Sequence, residues 1–193
     1  LFSLVEFMSQ NIDQAEQLAW QALRLEPNLA EAYEVLGWVS LSRGNYEQAE
    51  EVLRKAVDLN PNDLGTLQAL GNALTFLGDV DAAVLSMEKA VSLGARPSSR
   101  SIPVLALAYV LKGEPGKAIR VLDTYGRDRR DYFYFAAHAV AHTELGHVEE
   151  AHTAAKAARQ AWPFFSVSEF ADQFRRHEHR QRIADDLRRA GLN

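Results

Sequence analysis

The sequence predicts an all-α solenoid of stacked helix-turn-helix units, and three observations predict it. Ala15, Ala49, Ala83, Ala118 and Ala151 are spaced 34, 34, 35 and 33 residues apart, a period at which each unit is one supersecondary element that buries its apolar face only by stacking on its neighbours. Within a unit, Tyr33, Leu36, Gly37 and Ser40 fall at i, i+3, i+4 and i+7, one face of a helix. Ala49, Leu53 and Ala56 mark the facing stripe of a second helix. Gly44, Gly78, Gly113 and Gly146 recur with the period as turn residues, since glycine takes the left-handed conformation that ends a helix at low steric cost.

Composition sets the bounds. With 193 residues, 47% hydrophobic and 24% charged, the chain can bury a core and has no signature of disorder or collagen. Its longest apolar run, Ile102 to Leu111, is ten residues, too short to span a bilayer. The opening stretch lacks the basic leader of a targeting segment. Absence of cysteine removes disulfides, thiol catalysis and thiolate metal sites and fits a reducing compartment, so the expected location is cytoplasmic. Residues 1–92 hold 14 acidic and 5 basic side chains, residues 93–193 hold 12 and 16. Leu1 falls inside a helical pattern, from which the expectation is a fragment of a longer protein.

The units follow in order. A partial first repeat, 1–29, aligns Phe2, Ser3, Ala15, Ala19, Ala22 and Pro27 with Leu36, Gly37, Ala49, Leu53, Ala56 and Pro61. The full unit 30–63 turns at Arg43-Gly44-Asn45 and stops at Asn60-Pro61, where proline removes a donor and restricts the residue before it. Gly37 inside its first helix costs about 1 kcal/mol against alanine, so it implies a close approach, expected with Ala49. Unit 64–98 repeats the pattern with Leu67, Leu70, Gly71, Leu74, Ala83, Met87 and Ala90. Unit 99–131 keeps Leu105, Ala106, Tyr109, Ala118 and Leu122, with Pro115 in the first turn of its second helix, and leaves through the polar exit 126–130. Unit 132–163 keeps Phe135, Ala139, Ala151, Ala158 and Pro163, with His138 and His142 in place of leucine and tyrosine. Residues 164–193 read as two helices, one opened by the capping box Ser166-Val167-Ser168-Glu169, the other from His177 to Ala190 ended by Gly191. They are expected to form a polar cover at the end of the stack.

Tyr33, Leu36, Gly37 and Ser40, followed by Ala49, Leu53 and Pro61, resemble the tetratricopeptide repeat signature of an aromatic, Leu-Gly, Tyr, Ala, Phe and Pro, with Ser40 and Leu53 departing from the preferred aromatics. The resemblance implies about four and a half such repeats acting as a non-catalytic interaction module. More narrowly, Pro163 to Phe170 and His179 to Leu192 resemble the C-terminal tail of the repeat regions of bacterial class III adenylate or guanylate cyclases. This implies a bacterial signalling parent with its catalytic domain upstream. Under that resemblance the module is an intramolecular regulatory or dimerising domain. In another reading it is the effector half of a repeat-containing transcription regulator.

In such a solenoid the first helix of each pair lines the concave wall. Offsetting from the core face places Glu31, Glu34, Trp38 and Leu41 there, then Gln68, Asn72 and Thr75, then Arg100, Leu107, Val110 and Leu111, then Phe133, Val140 and Thr143. This mixed groove, apolar with an acidic lip, suits an amphipathic helix or extended peptide with Trp38 as anchor. Trp38 and Leu107 also read as fillers of gaps between repeats. Partners are expected to be a protein or peptide, or another domain of the parent, with a homodimer compatible and nucleic acid and membrane insertion excluded. A clamp for acidic C-terminal tails is not expected: Glu34 and Gln68 stand where it needs lysine, and Val104 and Ala137 replace its polar ligands. His138 and His142 have the i, i+4 spacing of a metal pair, but on core positions without a third ligand, so no metal or cofactor is expected. Lys112-Gly113-Glu114-Pro115-Gly116-Lys117 fails as a phosphate loop, with Leu111 for the first glycine and Ala118 for the hydroxyl. The tail arginines interleave with Glu178, Asp185 and Asp186 as on a solvated helix.

Overall fold

Four left-handed glycines set the rhythm of the chain. Gly44, Gly78, Gly113 and Gly146 have φ of 73°, 91°, 86° and 73°, and at each one a helix ends and the chain reverses into the next. The computed structural model describes residues 2–126 and 131–193, with side chains described from residue 11. Leu1, the polar exit 127–130 and the side chains of Phe2 and Ser3, which carried parts of the sequence reading, lie outside the described residues. Among the described residues all regular structure is helical: α1 (Phe2–Leu25), α2 (Ala30–Ser42), α3 (Tyr46–Leu59), α4 (Leu64–Leu77), α5 (Val80–Ser92), α6 (Ser101–Leu111), α7 (Pro115–Tyr125), α8 (Tyr132–Glu144), α9 (Val148–Ala161), α10 (Val167–Ala171) and α11 (His177–Arg189).

Helices α2 to α9 form four hairpins. Their nesting depends on small side chains: Ala49, Ala83 and Ala118 are fully buried and Ala151 is 2% exposed. The close approach at Gly37 is real, and its nearest neighbour is Leu53 in place of the expected Ala49. A Cβ on Gly37 would fall on the side chain of Leu53, and one on Gly71 would fall on Met87 and lie 3.1 Å from the Ala83 carbonyl oxygen. The glycine therefore makes room for the large residue one turn further along the facing helix.

The first unit departs from the hairpin pattern. Helix α1 runs without a break from Phe2 to Leu25, where a partial repeat would turn midway. Gln10 stands 34 residues before Gly44, and a residue with a Cβ has no inexpensive left-handed conformation there. Consequently the helix continues.

The chain does more than cover the end of the stack: after α9 it runs back through α10 to the end of α4, and α11 returns past α6 and α8 to α9. The Arg175 N–H donates to the Phe76 carbonyl at the end of α4, 2.7 Å. Its guanidinium lies over the Tyr46 ring, 5.0 Å from the centroid, and donates to the Gly44 carbonyl at 2.9 Å and to Glu47 at 3.1 Å. Farther on, Arg182 donates to the Leu111 carbonyl at the end of α6, 3.2 Å, and grips Glu144 at the end of α8 with two bonds of 3.0 and 2.7 Å. The Thr143 hydroxyl on α8 bonds the Asp186 carbonyl at 3.3 Å. Guanidinium groups thus meet carbonyls at the ends of α2 and α6, where the helix dipole is negative.

Magnitudes decide what holds this strap. Phe170, Phe174, Ile183, Leu187 and Leu192 are each 3% exposed or less, and each such burial stabilises by about 1.5–3 kcal/mol. Exposed ion pairs like Arg175–Glu47 contribute about 0–1 kcal/mol. Apolar anchors therefore fix the strap, and the arginines set its register. Phe174→Ala is expected to destabilise by about 3–5 kcal/mol in urea unfolding. By overpacking Leu53, Gly37→Leu should cost about 1–3 kcal/mol in the same measurement. An unchanged midpoint for either would contradict the packing described.

One carboxylate in the strap is fully buried. Asp186 is paired with Arg189 and, when protonated, shares a hydrogen bond with Glu144. Burial, then the Glu144 charge, pushes Asp186 up to about 7, with Arg189 opposing, while Arg182 holds Glu144 below its ordinary value. The folded chain keeps the Asp186 proton where the unfolded chain, with its ordinary value of 3.8, has lost it. That contribution to stability is complete below about pH 4 and is lost as pH rises through about 7. Asp186→Asn stays neutral, so the melting temperature of the variant minus that of the wild type should climb from about pH 4 to about pH 7 and then level off.

Candidate functional site

Among the described residues the inner faces of the first helices leave a cleft beside the strap. It has a volume of about 500 Å³ and takes Leu41 to Gly44 from the end of α2, Tyr46 from α3, Asn72 and Phe76 from α4, Ser99 and Arg100 before α6, Pro103 and Val104 on α6, Asp131 to Phe133 at the start of α8, and Gln173 from the strap. Its aromatic walls are built by contact across units. Tyr46 stacks on Phe76 with ring centroids 4.6 Å apart, Phe76 meets Phe174 at 5.4 Å, and Phe133 meets Phe170 at 4.8 Å. Each rigid ring presents an apolar face at small entropic cost, which is what anchors a bound chain. Beyond Tyr132 and Gln173 a shallower hollow continues past Trp162, Phe165 and Phe170, with Phe164 81% exposed beside it.

Leu41, Asn72, Arg100 and Phe133, four of the residues expected on the concave wall, line this cleft. Others have different roles. Leu107 and Val110 are fully buried and Leu111 nearly so, because α6 is apolar on every side and packs all round, and Val140 on α8 is fully buried in the same core. These four side chains do not line the cleft. Thr75 is fully buried and donates to the Gly71 carbonyl at 2.8 Å. Gln68 accepts the Ser98 N–H at 2.7 Å and ties down the loop before α6. The Thr143 hydroxyl is used on the Ala139 carbonyl, 2.8 Å, and on the strap. Trp38 packs against the main core and donates to Glu34 at 3.3 Å, so it fills a gap instead of anchoring in the cleft. Burial raises the Glu34 carboxyl above its ordinary value, with Asp63 adding to it. Glu31 is exposed at the start of α2.

The cleft's chemistry is that of recognition. Burial pushes both the Tyr46 and Tyr132 hydroxyls up, with Arg100 opposing in each case, so both remain neutral hydrogen-bond groups near neutral pH. Arg43 is engaged by Asp13 at 2.6 Å and Glu16 at 2.7 Å. Asp131 caps α8 by accepting the Tyr134 N–H at 3.0 Å. The histidine pair sits away from this cleft. His138 shares a hydrogen bond with the Tyr134 hydroxyl at 2.9 Å, and burial holds its imidazole down at about 4. Among the described residues no group of three or more His, Asp or Glu side chains is placed to hold a metal ion, and no helix is long and apolar enough to cross a membrane.

Residues 30–63 and, separately, 64–93 match family models described as tetratricopeptide repeat. Residues 30–93 match as two tetratricopeptide repeats. No curated protein matches. Among solved structures, the chain is similar to TTC0263, a thermophilic tetratricopeptide protein of Thermus thermophilus, at 22% identity over 96% of this chain and 95% of that one, TM-score 0.62. It is also similar to PilW, a type IV pilus biogenesis factor, at 15% identity over 97% and 89%, TM-score 0.66. A third is YrrB, a tetratricopeptide protein with an unusual peptide-binding site, at 18% identity over 89% and 90%, TM-score 0.60. At these identities the likeness concerns the fold: a helical tetratricopeptide solenoid.

Helical offset from the core face does not select Tyr46, Phe76, Tyr132 or Gln173. Tyr46 and Phe76 lie at the hairpin ends, and Gln173 reaches the cleft only through the strap. A sequence signal for the buried positions does exist: ten consecutive apolar residues from Ile102 to Leu111 mark a helix covered on all sides.

Proposed function

We propose that the chain is a non-catalytic protein-interaction module that holds a partner segment in the cleft between its first helices and the strap. The observation that carries this reading is the preformed aromatic cleft, whose rings are fixed by one another and by the strap, so that little ordering cost falls on association. Tetratricopeptide repeats are built for such contacts, and YrrB is described by its peptide-binding site. The reading extends to a cytoplasmic bacterial signalling protein of which this chain is a part.

The regulatory reading, in which the module positions or dimerises an upstream adenylate or guanylate cyclase domain, is supported by the tail resemblance alone. The tail is also the segment that forms the strap. The sequence preceding Leu1 tests it: a cyclase core supports the reading, and a winged helix favours the transcription-regulator alternative.

Selection of eight-residue peptides from a random library on the purified chain tests the interaction reading. Enriched peptides should bind Tyr132→Ala about tenfold more weakly than wild type, a loss of about 1.4 kcal/mol. Trp38→Ala should leave their affinity unchanged while lowering stability by about 1–2 kcal/mol. No enrichment, or equal binding by Tyr132→Ala, would remove the cleft as the site.

A further inference from the structure

Among the described residues two cations line the cleft, and they differ in what holds them. Arg43 is held by two carboxylates, whereas Arg100 is exposed, and its one hydrogen bond is a long one of 3.5 Å to the Ser42 hydroxyl. Among the described residues no carboxylate lies within ion-pair distance of it. Arg100 also occupies the N-cap of α6, where the positive end of the helix dipole adds to its charge. Its field reaches both Tyr46 and Tyr132, which places it where the aromatic walls meet the mouth.

A second observation comes from the inner wall. Asn72 is 2% exposed, its Nδ2 donates to the Ser101 hydroxyl at 3.1 Å, and its Oδ1 has no partner among the described residues. A buried acceptor left unpaired is costly, and the N–H of an extended peptide supplies the missing donor. Around it Leu41, Phe76, Pro103, Val104 and Phe133 form an apolar floor.

We infer that the cleft selects an internal, extended peptide segment in which an Asp or Glu side chain stands beside a large apolar one. The carboxylate pairs with Arg100, a backbone N–H meets Asn72 Oδ1, and the apolar side chain covers Phe76 and Phe133. Among the described residues Arg100 is the cation without a carboxylate partner in the cleft, which suits one side-chain carboxylate, whereas a phosphate, with close to two charges and three acceptor oxygens, calls for several donors. Because Arg100 is exposed, its contribution is that of a rim charge: selectivity and salt dependence more than total affinity. The inference rests on the peptide-binding reading above and adds to it the chemistry of the occupant.

The test is peptide selection from a library with both ends blocked, run in parallel on wild type, Arg100→Gln and Arg100→Glu. Melting by circular dichroism checks that the variants fold alike, as expected at an exposed position. On wild type, acidic residues next to aromatic or aliphatic ones should be enriched. That preference should vanish on Arg100→Gln and turn to Lys or Arg on Arg100→Glu. For one enriched peptide, the Glu form should bind wild type about tenfold more tightly than its Gln counterpart, with a ratio near one on Arg100→Gln. Enriched peptides lacking an acidic residue, or a Glu preference that survives Arg100→Gln, would overturn this inference and leave peptide binding standing. Tighter binding of the same peptides with a free C-terminus or a phosphate in place of the carboxylate would overturn it too. No enrichment on any of the three chains would overturn both.

Discussion

The docking of Phe174 and Arg175 onto Phe76 and Tyr46 is the contact on which the arrangement of the inner wall depends. It brings together residues far apart in the chain, with the Arg175 guanidinium bonded to the Gly44 carbonyl and Glu47. In a plain repeat array each unit touches only its neighbours. Here a single segment touches the ends of α4, α6 and α8 as well as the first full hairpin's turn. The groove that tetratricopeptide helices would otherwise leave open is thereby reduced to the cleft of about 500 Å³ beside Gln173.

Division of labour along the strap follows from ordinary energetics. Phe174 and Leu187 leave water completely and carry the stability, while Arg175 and Arg182 direct their donors to carbonyls that end helices and so fix where each apolar anchor lands. Asp186 is the exception, a buried acid between a carboxylate and an arginine, and it makes the strap's attachment depend on pH in the direction opposite to a salt-bridged surface acid.

Local rules made much of the fold legible. The four hairpin-turn glycines, Gly44, Gly78, Gly113 and Gly146, the buried alanines and the prolines after the second helices each act over a few residues, so spacing alone revealed the hairpins. Even the departure in the partial repeat 1–29 is local, because Gln10 stands in the sequence where the period calls for a glycine, and an unbroken α1 follows from it. The site was less legible. Arg100 and Phe133 could be placed on a concave wall by helical offset, but whether a wall position is open depends on what crosses it. Leu107 and Val140 were hidden by neighbouring helices, and Tyr46 and Phe76 became functional candidates only because the strap, far away in sequence, packs against them. Hydrophobic periodicity says which face of a helix turns inward, and it does not say which other segment arrives there.

Helical solenoids behave as springs, since small rotations between adjacent units add up along the array and let it open or tighten. A brace running from the Gly44 turn to Glu144 spans several of those joints at once and opposes their bending in series. The inner surface is therefore a stiff mould of fixed curvature, and a guest must fit the shape it finds.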